Sequence, residues 1–278
     1  MNIGAHVMLA KYNNEESTVT IKFSDLCKSV FPPNESAIDT FYRVRDVVIV
    51  NAYKDPFASD PSLRSNLLLL LFSGAESYFR RIISEVLSFC PIAAEAAAQQ
   101  QVAFGAISTF GISNLGFAFS DTKGLTSSGE IINRTKNMLG ISISKTSSIG
   151  VSIEEFERIC NFRHSIAHSS GELLYTNRRD LKIATSGRLQ VEIDNKGIQD
   201  IAQIVVNCVR AYNNFVANEL IQRWFSEGCL RGRWQSDRRI FNSHYSTFSS
   251  RRDGMPSDSA HEIYKTAKSK IKMREKNL

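Results

Sequence analysis

The sequence predicts an all-α protein: a helical bundle of four main helices, with a small β-hairpin insertion and a basic C-terminal tail. Three observations lead there. Apolar residues recur at three- and four-residue spacing over 35–52, 61–89, 152–168 and 198–225. Recognisable caps and breakers bound these stretches. Period-two alternation is confined to short segments, 17–23 and 189–193.

Each element has its own grounds. Val19, Ile21 and Phe23 alternate as a weak strand, stopped by Pro32-Pro33-Asn34. Ile38, Phe41, Tyr42, Arg45 and Ile49 then fit a helix over 35–52, broken at Asp55-Pro56. The strongest helix covers 61–89. Asp60 suits its N-cap and Pro61 its first position. Leu67, Leu71, Ala75, Tyr78, Ile82, Val86 and Phe89 form its stripe, widened by Leu68, Phe72, Phe79 and Ile83, and Pro91 ends it. Residues 93–102 read as helical, and 104–128, rich in Gly, Ser and Phe, as irregular with short helices. A short helix is expected over 129–139. Ser152 and Glu155 form a capping box that opens the helix ending at His168. Gly171 suits the left-handed turn after it. Residues 189–193 are expected to pair with 180–184 across Thr185-Ser186-Gly187. Ile198, Ile201, Val205, Val209, Tyr212, Val216, Leu220 and Trp224 mark the last long helix. This divides the chain into a segment 1–34, a helical domain 35–228 with an insertion at 91–129, and a tail 229–278 with a helix over 259–274.

Composition narrows the class. Of 278 residues, 42% are hydrophobic, enough for a real core, and no run is long enough for a membrane span. No basic region followed by an apolar block opens the chain, so no secretory signal is expected. Five scattered cysteines without a CxxC fit a reduced, cytoplasmic protein whose thiols pack as small hydrophobes. The formal net charge is +6, yet residues 229–278 hold 12 Lys+Arg against 5 Asp+Glu. The whole excess therefore lies in the tail. That suits contact with nucleic acid or another polyanion, or equally a solubilising end. Arg231, Arg233, Arg238 and Arg239 interleave there with Trp234, Phe241 and Tyr245, a mixture of phosphate binders and base stackers suited to single-stranded RNA. The plainer account is a charged end that packs a few aromatics on the bundle.

The candidate site is Arg163-His164-Ser165-Ile166-Ala167-His168. At 100° per residue, Ile153, Phe156, Ile159, Cys160, Ile166 and Ala167 define an apolar stripe with Arg163 near its middle. An always-charged guanidinium there needs a carboxylate, a wet cleft, a second subunit or an anionic ligand. Two imidazoles within five residues add groups that take or give a proton near neutral pH. On an ideal helix Arg163 and His168 stand about 140° apart, so either the helix frays near Ala167 or the two act across a dimer interface. Glu76, at the edge of the stripe on 61–89, is a candidate to orient Arg163, with a surface pair to Arg80 as the simpler account. Cys160, His164 and His168 also fall at i, i+4 and i+8, which raises zinc, but no further ligand cluster joins them. Cys160 with His164 as a nucleophilic pair lacks an orienting third residue.

The spacing Arg163-x4-His168, with His164 directly after the arginine, resembles the R-x4-H motif of the HEPN superfamily. The motif sits at the end of one long helix, after an earlier apolar helix and before another, and residues 166–171 are similar to that family's exit from it. The resemblance spans residues 35–225 as architecture and is closest to HEPN proteins of the RiboL-PSP and abortive-infection type. Residues 91–129 do not match it. The resemblance implies a metal-independent endoribonuclease without cofactors, working as a homodimer whose two motifs share a cleft. His168 would then transfer protons, Arg163 would bind phosphate and stabilise the transition state, and His164 would orient or make a second transfer. It also implies a toxin or antiphage defence effector held by an inhibitory or activating protein partner. A non-catalytic HEPN-like bundle that binds RNA or a protein partner is the alternative.

Overall fold

The computed structural model describes residues 21–28, 34–111, 114–120, 124–253 and 258–276. The chain divides into two compact units, residues 1–34 and 35–278. In the first, a 3-10 turn spans Phe23–Leu26. Of the strand expected over 17–23, residues 17–20 lie outside the described residues, and Phe23 already belongs to that turn.

The second unit is all-α. Among its described residues run α1 (Ala37–Ala52), α2 (Pro61–Phe89), α3 (Pro91–Ala97), α4 (Phe104–Phe110), α5 (Leu115–Ser120), α6 (Ser128–Leu139), α7 (Ser148–Ser169), α8 (Tyr175–Asp180), α9 (Asn195–Ser226), α10 (Trp234–Phe248) and α11 (Ala260–Lys276). None is long and apolar enough to cross a membrane. The centre is α2, packed against α1, α3, α5, α6, α7, α9 and α10. Asp60 starts it by accepting from the N–H groups of Ser62 and Leu63 at 2.8 and 3.1 Å. Leu68, Leu71, Phe72, Ala75, Phe79, Ile82 and Val86, all fully buried, repeat at three- and four-residue spacing. Phe79 lies 5.0 Å from Tyr212 of α9 and 5.8 Å from Phe156 of α7, ring centre to ring centre. These three rings join the three longest helices. Tyr212 shares a 2.7 Å hydrogen bond with the buried Thr135 hydroxyl of α6, which satisfies both groups in the core.

The region expected as an insertion, 91–129, is short helices, and the Cys90 thiol caps α3. Gly116 lets α5 lie directly on α2, because a Cβ there would collide with the Ser84 backbone.

Two expectations change. Residues 189–191 do not pair with 180–184. Leu173 N–H donates to Leu189 C=O at 2.9 Å, and Val191 N–H to Gly171 C=O at 2.8 Å. Residues 175–180 are helical instead, and Ile183 N–H closes back on Arg178 C=O at 2.8 Å. A strand's alternation shows which face it buries, not which segment it meets.

Residues 229–278 also belong to the bundle. Phe241, Phe248 and Tyr264 are buried. Asp237, only 2% exposed, accepts from the N–H groups of Arg231 and Arg233 and from the Tyr264 hydroxyl at 3.0, 3.2 and 2.6 Å. Buried Asp39 of α1 accepts from Ser250 Oγ at 2.6 Å and from Arg251 N–H at 3.0 Å, latching the segment after α10 to the first helix.

Candidate functional site

Helix α7 starts earlier than expected. Ser147 is the N-cap, accepting from Gly150 N–H at 3.2 Å, and Ser152 lies inside the helix with its hydroxyl on Ser148 C=O at 2.9 Å. Ser147 is a favourable N-cap residue without a Glu three positions on, yet it prevails over the Ser152–Glu155 box five residues later. Ile149, Ile153, Phe156, Ile159, Cys160 and Ile166 face the core. Ala167 is exposed, and Ser165, fully buried, takes a place on the inner face by donating to Asn161 C=O at 3.3 Å.

The helix does not fray at Ala167. It runs to Ser169 and ends through Ser170 and Gly171 in left-handed conformations, φ 50° and 87°. Gly171 N–H returns to Ser165 C=O at 3.0 Å, and Gln190 Nε2 donates to Ser170 C=O at 2.6 Å. Segment 189–191 thus clamps the end of α7.

This regularity decides how the motif residues are presented. His164 and His168, one turn apart, form an exposed pair with ring centres 4.6 Å apart and planes tilted by 49°. Arg163 points elsewhere. It is half-buried, its Nε is buried without a partner, and it donates no hydrogen bond and joins no ion pair among the described residues. One chain therefore brings the two histidines together but leaves Arg163 and His168 on diverging faces.

Three acids of α2 and α7 are engaged elsewhere. Glu76 Oε1 accepts from Arg80 at 2.8 Å and from Leu125 N–H at 3.1 Å, so the expected contact between Glu76 and Arg163 is not formed. Glu157 accepts from Ser128 Oγ at 2.5 Å, and Glu155 pairs with Arg158 at 2.7 Å. Burial pushes the Cys160 thiol up to about 12, against the pull of the Arg163 charge. That is the opposite of an activated nucleophile. Among the described residues no three His, Cys, Asp or Glu side chains converge as a metal site.

A cleft of about 280 Å³ opens beside the end of α7, lined by Ser62, Ser65, Asn66, Ile166, Ser170, Gly171, Gln190 and Val191. Its lining is uncharged and does not include Arg163, His164 or His168.

Sequence reasoning missed a second arginine on an apolar stripe. Arg64, 5% exposed, donates to Ile193 C=O at 2.9 Å and to Ala58 C=O, tying α2 to the segments before it and before α9. Its signal was its place one turn before Leu67 and Leu68. Arg64 and Arg163 both have an orphaned Nε, but only Arg163 has no carbonyl or acid on its remaining nitrogens.

Arg231, Arg233, Arg238 and Arg239 are all exposed, and none forms an ion pair among the described residues. The aromatic residues between them are mostly committed to packing. Phe241 is fully buried, the Trp234 ring packs at a tilt against His261 with centres 4.7 Å apart, and the Tyr245 hydroxyl donates to Asp258 C=O at 3.2 Å.

No protein-family model, curated protein or solved structure matches this chain.

Proposed function

We propose that this protein cleaves RNA without a metal ion, at a site assembled from the α7 helices of two copies. The observation that carries the reading is the uncompensated Arg163 guanidinium beside two solvent-facing imidazoles. A lodged cation without a counter-charge favours an anion. RNA cleavage needs a forked donor for the phosphate oxygens and groups that take a proton from the 2′-hydroxyl and return one to the leaving oxygen. Arginine and histidine supply these functions. Because Arg163 and His168 diverge on one straight helix, a second copy is needed to bring them to the same phosphate. Arg163 then binds and stabilises the phosphate, His168 transfers protons, and His164 orients or makes the second transfer. The resemblance to HEPN nucleases rests on the same residues and suggests a defence or toxin role under a protein partner's control.

Purified protein incubated with total RNA and tRNA in EDTA, beside Arg163→Ala and His168→Ala, tests this. Cleavage by the parent alone, leaving 2′,3′-cyclic phosphate ends, is the expected result. Equal cleavage by all three, or none by the parent, refutes it. The exposed, unpaired arginines around α10 favour a second reading, RNA binding without cleavage. It requires that the α7 variants bind as the parent does while loss of those arginines abolishes binding.

A further inference from the structure

We infer that His164 and His168 form a two-pronged site for a divalent transition-metal ion of the nickel–zinc class. The two rings project from one face of α7, one turn apart, the spacing at which helical histidine pairs chelate metal. An ion about 2.1 Å from one nitrogen of each ring lies about 3.2 Å from each ring centre, so ligand angles of 90–109° place the centres about 4.5–5.2 Å apart. The observed separation is 4.6 Å with the planes tilted by 49°, so little rearrangement is needed. Both rings are exposed, and no hydrogen bond engages their nitrogens among the described residues. Imidazole is a preferred ligand for this class of ion. Cys160, the next residue back at the same spacing, is buried, so solvent completes the coordination. The Arg163 charge stands about 100° and 140° around the helix from the two ligands and does not block their outward side.

Binding follows from the histidine pair alone. Its consequence rests on the proposed ribonuclease: an ion held here occupies the nitrogens needed for proton transfer, so it inhibits cleavage and EDTA relieves it.

The test uses untagged full-length protein carrying Cys27→Ser, which removes an exposed thiol, a competing ligand type. Nickel chloride is titrated by calorimetry into this parent and into His164→Ala, His168→Ala and His261→Ala versions, with circular dichroism as the folding control. The expected result is one ion per chain, an affinity unchanged in His261→Ala, and at least about a tenfold loss in each α7 variant as a chelate becomes a single imidazole. Absence of binding in the parent, or unchanged affinity in His164→Ala or His168→Ala, overturns the site. Metal binding without RNA cleavage would leave the site standing and remove the ribonuclease. Cleavage without metal binding would do the reverse.

Discussion

His244 offers a way to test the packing of the C-terminal helices by pH alone. Its ring is 5% exposed and sits among Phe248, Trp224 and Phe241, with centres 4.8, 5.4 and 5.7 Å away. Nε2 lies 2.9 Å from Ala217 C=O, so the neutral ring carries its proton there. Burial lowers its pKa from 6.5 to about 4, and the hydrogen bond to Ala217 offsets only part of that. The sign follows from where the proton binds. Between pH 6.5 and 4 the unfolded chain takes up a proton that the folded chain refuses, so stability is full above 6.5 and falls as pH drops towards 4. From pH 7 to 4.5 the loss is about 2 kcal/mol. That corresponds to a fall in Tm of about 4–8 °C for a domain of this size. Other groups titrate in the same window, so the comparison is with His244→Phe. This variant keeps the ring and loses the proton site, at a pH-independent cost of about 1 kcal/mol for the unpaired carbonyl. Urea unfolding of both proteins across the range should show their stability difference shifting by about 2 kcal/mol in favour of the variant at low pH. Parallel curves would mean that the ring is not buried and that α10 does not pack as described.

Other substitutions have defined expectations. Asp237→Ala leaves two backbone N–H groups and the Tyr264 hydroxyl without their acceptor and should cost about 3 kcal/mol or more in chemical unfolding. Phe79→Ala opens a cavity where α2, α7 and α9 meet and should cost about 3–5 kcal/mol by the same measurement. Replacing Arg231, Arg233, Arg238 and Arg239 together by Ala should weaken RNA binding and flatten its salt dependence, by about 0.7 in slope for every phosphate no longer neutralised, with little change in Tm. An unchanged slope in titrations at several salt concentrations would take these arginines out of the proposed RNA contact.

How much of this was legible varies with the kind of signal. The bounds of α2 match expectation because Asp60-Pro61 and Pro91 punctuate the chain chemically. The start of α7 was obscured because Ser152 with Glu155 carries the fuller capping signature, while the helix in fact begins about one and a half turns earlier at a plain Ser147 cap. Around α10 the dense arginines mask a sparse apolar pattern of Phe241, His244 and Phe248, at i, i+3 and i+7, which carries that helix into the core. In the site, the shared face of His164 and His168 and the divergence of Arg163 follow from helical angles alone. The lack of a partner for Arg163 does not. Glu76 finding Arg80 one turn on is a local pattern, but Glu76 also finding Leu125 and Glu157 finding Ser128 span distances in the chain that no local pattern encodes.

The latch between Asp39 and the stretch at 250–251 has a consequence for biosynthesis. A carboxylate near the beginning of the bundle waits for donors translated more than two hundred residues later. While the ribosome is still working through α9, that acid has no mate and the groove for Phe241 and Phe248 stays wet. The domain therefore closes late, and a chain released before that point would carry a sticky, half-finished surface of the kind that chaperones hold and proteases clear.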